Sequence, residues 1–183
     1  MKKNSDDLCT LSATELLALD SDGYALGGLS VGEPRALSLE MVDATEAVLP
    51  RTKPRYAMGV GMPDELPEYV ARGIDMMDCV LPSRNARNGY LFTTEGRLII
   101  KHARYRDDER PPDEKCRCYT CSRYSRAYLR HLFLSGEILY AILATRHNLR
   151  RYLDIMREIR QAIMSGLFPE YLRSVRSTAS AGE

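Results

Sequence analysis

Three of the five cysteines in this 183-residue chain fall within six positions, as Cys116-x-Cys118-x-x-Cys121. Thiolates at this spacing on one loop are soft ligands suited to a tetrahedral zinc ion. Such a site needs a fourth ligand. Cys9 and Cys79 lie in or beside the preceding α/β portion, His102 falls in a predicted strand and His131 within a predicted helix. His147 follows Cys121 by 26 residues, at the junction of two predicted helices, where its ring can turn toward the loop; the reading favours it. A closed Cys3His set leaves no position for water, so the expected role of Zn2+ is structural.

The second group with chemical potential is acidic. Asp78 stands at the end of the apolar stretch Ile74–Leu81, where a carboxylate serves either as an anchor for the following loop or as a nucleophile. Asp75 is three residues away and, in a strand, points to the opposite face, which makes it the weaker candidate.

The elements that must position these groups alternate. Ser12-Ala-Thr-Glu15 reads as a capping box opening a short helix. Residues 23–29 read as a strand ending in glycines. Residues 34–49 carry Leu37, Met41, Ala44 and Val48 at helical spacing. Residues 54–61 form a second predicted strand, Pro63 opens a helix to about Arg72, and residues 74–81 form a third strand. Strand, helix, strand, helix, strand implies a parallel sheet, whose chemistry sits in the loops after the strand ends. Beyond Arg84, residues 90–101 read as a β-hairpin, followed by a polar loop and the cysteines. Helices are expected at 122–134, 136–146 and 148–165, the last with an apolar face of Leu149, Leu153, Met156, Ile159 and Ile163.

Charge divides the chain. Residues 1–100 hold ten basic and fifteen acidic side chains, and residues 101–183 hold sixteen and ten, within a net charge of +1. A basic half suits an anionic partner. No apolar run approaches the ~18 residues of a membrane span, and the start, MKKNSDDL, lacks the apolar core of a signal peptide. A cytoplasmic protein with no membrane partner is expected, a compartment where clustered cysteines bind metal rather than pair.

The string from Gly73 through Asp78-Cys79-Val-Leu-Pro-Ser83-Arg-Asn-Ala-Arg87 to Gly89 resembles the signature of tRNA-guanine transglycosylases. Tyr24–Glu33, Tyr56–Gly61, the cysteine triplet, Tyr124–Tyr128 and Thr145-x-His147-Asn148 look like further motifs of that family, in its order. The resemblance runs from about Leu11 to Arg173. It implies exchange of guanine at wobble position 34 of tRNA for a 7-deazaguanine, on the way to queuosine, through a covalent aspartyl–ribosyl intermediate. Asp78 would be the nucleophile. Gly27, Gly28 and Leu29 would line the base pocket through backbone groups, with Met58 against the base. The segments Gly59-Val60-Gly61-Met62-Pro63-Asp64-Glu65 and Ser83-Arg84-Asn85-Ala86-Arg87 would contact the tRNA anticodon loop. Val31 matches the bacterial type and favours preQ1 over queuine. A homodimer is also implied.

The implied fold is α/β: the C-terminal part of a (β/α)8 TIM barrel, about three strands, with a zinc-binding hairpin and helical subdomain. On this reading residues 1–89 form the partial barrel with pocket and nucleophile, 90–176 the zinc subdomain and C-terminal helices, and 177–183 a flexible tail. The family's DSGGFQ string, whose aspartate is general acid/base, and its GIVQGG strand do not occur here. Activity is therefore expected to need a complementing N-terminal half; the alternative is a non-catalytic, zinc-stabilised fragment that binds tRNA or a subunit.

Overall fold

The computed structural model describes residues 2–180, with side chains for 8–177. In chain order the elements are α1 (Lys2–Leu17), β1 (Tyr24–Leu26), α2 (Arg35–Glu46), β2 (Arg55–Ala57), α3 (Leu66–Ala71) and β3 (Met76–Met77). They continue as α4 (Leu81–Arg87), β4 (Tyr90–Thr93), β5 (Gly96–Ile99), a 3-10 turn at Ala103–Tyr105, α5 (Tyr119–Arg123), α6 (Arg126–Leu134), α7 (Ile138–Met164) and α8 (Phe168–Ser180). Two compact units result, one running to Cys79 and including Pro169–Ala179, the other Val80–Phe168. The division falls at 79/80, where the sequence reading places it at 89/90. Among the described residues no helix is long and apolar enough to cross a membrane.

The first unit is built on a parallel sheet of order β1-β2-β3, with Tyr24 opposite Arg55 and Tyr56 opposite Met76. Period-two alternation sends Tyr24, Leu26 and Ala57 into a core with Val42, Val60, Tyr69 and Ile74. Tyr56 consequently projects from the other face. Glu68, on α3, is buried against Arg176 of α8 at 2.5 and 2.8 Å, and it also accepts from Arg72 at 2.9 Å. That network fastens the C-terminal helix to the sheet unit. The Arg176 hydrogen bonds are the main cause holding the Glu68 carboxyl down to about 2, against the opposing effect of burial.

In the second unit the β4–β5 hairpin pairs Tyr90 with Ile99. Leu91, Leu98 and Ile100 pack with Ala86 of α4, Leu129 and Leu132 of α6, and Tyr140, Leu143 and Ala144 of α7. Gly89 joins α4 to the hairpin at φ +87°, and a Cβ there would stand 2.9 Å from the Phe133 ring. Both the backbone and the space demand glycine.

Several elements differ from the sequence reading. Helix α1 begins ten residues before Ser12, so no capping box operates there. Residues 81–87, read as the end of a strand and a loop, form α4, with Pro82 in its first turn. The break expected near 147 does not occur, because α7 is continuous over 27 residues. Its buried side is Tyr140, Leu143, Ala144, His147, Asn148, Ile155, Ile159 and Ala162, whereas Leu149, Leu153 and Ile163 are exposed. Helix α8 carries regular structure through Ser180, where a flexible tail was expected from 177; residues 181–183 lie outside the described residues.

Candidate functional site

The first unit brings three motif residues, Tyr56, Gly59 and Asp78, together at one end of its sheet. Met76 pairs with Tyr56, so Asp78, two residues on, emerges on the Tyr56 face and away from the core. The Tyr56 hydroxyl donates to Asp78 Oδ1 at 2.6 Å, and the Gly59 N–H donates to the same oxygen at 2.9 Å. Those two bonds, Tyr56 first, hold the exposed Asp78 carboxyl below its ordinary range and keep it ionised at neutral pH. Glycine at 59 has φ +71°, the left-handed turn that aims its N–H at the carboxylate. Asp75 faces elsewhere: its Oδ2 accepts the Arg55 N–H at 2.8 Å and so ties β2 to the start of β3.

The wall beside Asp78 comes from the loops after β1 and β2. Met58 follows β2, with its N–H on Leu26 O at 2.8 Å and its side chain 45% exposed. Its sulfur lies 3.5 Å from where a Cβ on Gly27 would sit, so the Met58 side chain packs against the glycine backbone of the loop after β1. Gly28 has φ +74° with open space around it, and Leu29 turns back onto the core. Glu33 closes that loop. Its carboxylate accepts from the Ser38 hydroxyl and from the N–H groups of Ser30 (2.5 Å) and Val31 (2.9 Å), and its pKa falls to about 2, mainly through Ser38.

The expected RNA segments divide by exposure. In the first, Val60 is fully buried in the core and the Gly61 carbonyl accepts from the Cys79 thiol at 3.4 Å. Glu65 accepts from the Met62 N–H at 2.6 Å, and Asp64 pairs with Arg35 at 2.9 Å; Pro63 is half-buried between them. In the second, Ala86 is a core side chain of its unit, while Arg84 and Arg87 stand exposed in the last turn of α4. Ser83 caps inward onto Val80 O at 3.2 Å, and Asn85 is half-buried.

The second unit brings the cysteine triplet onto α7. Donor atoms of Cys116, Cys118, Cys121 and His147 all lie within 4.8 Å of one another, the one such group among the described residues. Cys9, Cys79, His102 and His131 are not part of it. His147 is fully buried, and its Nε2 hydrogen-bonds Phe92 O at 2.8 Å, which places the proton there and turns Nδ1 toward the sulfurs. Nδ1 stands 3.2 Å from Cys121 Sγ and 3.6 Å from Cys118 Sγ. A zinc tetrahedron with usual bond lengths has an S–N edge of about 3.6 Å. The donors therefore fit a zinc-sized ion. The Cys121 thiol donates toward Cys118, which drives Cys118 down to about 3 and Cys121 upward. His147 is raised to about 9: burial lowers it, but contacts with Cys116 and Cys118 outweigh that. Cys118 is thus the thiolate of the pair, held by the Cys121 thiol and by His147.

Comparison with known proteins decides the family. A family model described as queuine tRNA-ribosyltransferase matches residues 4–181. The chain belongs to the queuine tRNA-ribosyltransferase family. A relative of that name from Solibacter usitatus is 78% identical over 172 residues, 94% of this chain and 45% of the relative. One from Koribacter versatilis is 56% identical over 91% of this chain and 43% of its own length. One from Desulforapulum autotrophicum is 56% identical over 88% and 44%. The chain thus spans less than half the length of the curated queuine tRNA-ribosyltransferases it matches.

Sequence reasoning left some residues of this family member without a role. Tyr56 lies inside a quoted motif, and strand alternation could have placed it on the Asp78 face, but only the register β2–β3 supplies the contact. Asp113 is buried and accepts from Thr94 N–H (2.7 Å), Thr94 hydroxyl (2.9 Å) and Lys115 N–H (3.0 Å), bracing the loop that leads to Cys116. No local pattern marks it out among the acids of that loop.

Proposed function

We propose that this chain carries the nucleophile half of a tRNA-guanine transglycosylase that exchanges guanine at wobble position 34 for preQ1. The carrying observation is the exposed, ionised Asp78, fixed through Oδ1 by Tyr56 and by Gly59, the residue after the exposed Met58. The Tyr56 and Gly59 bonds both end on Oδ1, and attack is assigned to Oδ2. Oδ2 bonds to C1′ of the ribose as the C1′–N9 bond breaks and guanine departs with a proton from a general acid outside this chain. The incoming base then loses its N9 proton, attacks C1′ and expels the Asp78 carboxylate. A carboxylate suits a centre that passes through oxocarbenium character, as in retaining glycosidases. Gly27 and Gly28 offer backbone groups to the base and Met58 its polarisable side chain.

Arg84 and Arg87 would contact anticodon-loop phosphates, with Gly59–Glu65 as a second tRNA contact. Cys116, Cys118, Cys121 and His147 would hold a structural Zn2+, which has no open position and supplies folding energy to its unit. The fold on this reading is part of a (β/α)8 barrel, three strands of which lie in this chain. Its partners are tRNA, a guanine-type base, a second copy, and a complementing segment carrying the acid/base absent here. The exposed Arg84 and Arg87 and the clustered Cys3His donors would serve equally a second reading, a zinc-stabilised tRNA-binding fragment without catalysis.

Guanine exchange into tRNA, with and without a supplied N-terminal half, separates the two. Incorporation on complementation, with a denaturant-stable protein–RNA adduct that Asp78→Asn abolishes, is the expected result. A folded, zinc-loaded chain that gives no incorporation either way, and binds tRNA equally well as Asp78→Asn, refutes catalysis and leaves the binding fragment.

A further inference from the structure

The motif Thr145-x-His147-Asn148 contains a residue that neither the metal site nor the nucleophile uses. Asn148 is fully buried on α7, directly after the metal-ligating histidine. Its Oδ1 accepts the Phe92 N–H at 2.9 Å. Its Nδ2 donates to Pro82 O at 3.0 Å and to Tyr90 O at 3.0 Å. One carboxamide thus spans the first turn of α4 and both ends of a β4 tripeptide.

His147 completes the link. Its Nε2 binds Phe92 O, so both backbone groups of Phe92 are held by adjacent residues of α7. A continuous path of short polar contacts joins the cysteine cluster to His147, Phe92, Asn148 and Pro82. Its far end is the helix bearing Arg84 and Arg87. Pro82 and Ala86 bury one side of that helix, so tilting it about its first turn would redirect both arginines. Asparagine is the side chain this place requires. Aspartate would set a carboxylate against two carbonyl oxygens, and alanine would leave one donor and two acceptors buried without partners.

We infer that Asn148 is a positioning residue that couples metal occupancy of the Cys3His cluster to the orientation of the arginine helix α4, and through it to RNA affinity. The inference rests on the proposed reading of Arg84 and Arg87 as phosphate contacts. Metal loading at one end and RNA binding at the other are therefore linked through α7 and β4.

The test uses the whole zinc-loaded chain and an anticodon stem-loop RNA. Asn148→Asp and the milder Asn148→Ser are compared with wild type and with Arg84→Ala/Arg87→Ala. Zinc content, the Co2+ thiolate spectrum and affinity across a salt series are measured. The Asn148 variants should keep one metal per chain and the tetrahedral Co2+ spectrum. Their RNA affinity should fall about tenfold, with the slope of log K against log salt shallower by about one to two, as in the arginine variant. Wild-type affinity and slope in metal-loaded Asn148 variants, with the arginine variant impaired, overturn the coupling alone. An arginine variant that binds like wild type overturns the phosphate reading and the coupling together.

A wild-type measurement stands whether or not the variants fold. Exchanging zinc for the larger cadmium ion should shift the amide resonances of Phe92 and of Ser83–Asn88 together. Resonances of Ser83–Asn88 that stay fixed while Phe92 moves refute the coupling.

Discussion

Glu68→Gln removes the one charge on which Arg176 of α8 and Arg72 of α3 converge, at nearly constant volume. The folded pKa of Glu68 is about 2 against an ordinary 4.5. At about 1.4 kcal/mol per pH unit, that difference corresponds to about 3 kcal/mol of stability at neutral pH. The Arg176 side chain is 55% exposed, so solvent screening reduces the expected loss to about 2 kcal/mol. Because the folded pKa is the lower one, the contribution is complete above about pH 5. It declines as the unfolded chain takes up its proton below 4.5, and it vanishes as pH falls through about 2. Urea unfolding followed by far-UV circular dichroism at pH 7, 5, 4 and 3, with wild type and variant compared in the same metal state at each pH, reads this as a difference. The gap between wild type and variant should be about 2 kcal/mol at pH 7 and below about 1 kcal/mol at pH 3. An Arg176→Met variant should lose most of the same increment, so the double variant is less than additive. A pH 7 gap within 0.5 kcal/mol of zero, or one that widens on acidification, refutes the account of α8 as fastened through Glu68.

Tyr56→Phe deletes the first cause of the lowered Asp78 pKa. In the complemented exchange assay the rate should fall roughly tenfold, the scale of one charge-assisted hydrogen bond. The acid limb of its pH profile should also move to higher pH; an unchanged limb means that Tyr56 does not hold the carboxylate. Gly89→Ala meets both a positive φ and the Phe133 ring at 2.9 Å, so it should cost more than about 2 kcal/mol in denaturant unfolding. Gly96→Ala, at φ +108° with nothing within 4 Å, should cost about 1 kcal/mol; equal losses would assign the Gly89 effect to backbone conformation alone.

The cysteine triplet was legible because ligand spacing is local: three thiols in six residues define a clip whatever surrounds them. The three parallel strands were legible for a similar reason, since short apolar runs ending in glycine alternate with helical periodicity, though β3 proved to be only Met76–Met77. The family signature around Asp78 is likewise contiguous. The structure brings His147 into the cysteine cluster, as expected, but not for the expected reason. His147 lies inside a continuous helix, not at a junction, and reaches the sulfurs because α7 turns a polar side inward.

That inward side marks the limit of reading apolar periodicity. Leu149, Leu153 and Ile163 make a regular stripe, yet α7 buries the face with His147 and Asn148 against α4 and β4. A buried polar face is stable only where each donor and acceptor finds a partner, and those partners come from residues 55 to 66 positions away. Tyr56 depends in the same way on the register that sets it beside Met76, two residues short of Asp78. By itself the sequence determined the family and singled out the candidate groups, because their spacing and chemistry are local. Tertiary structure alone decided which carbonyls, hydroxyls and N–H groups hold them, because partners for buried and aimed polar atoms are supplied by distant parts of the chain.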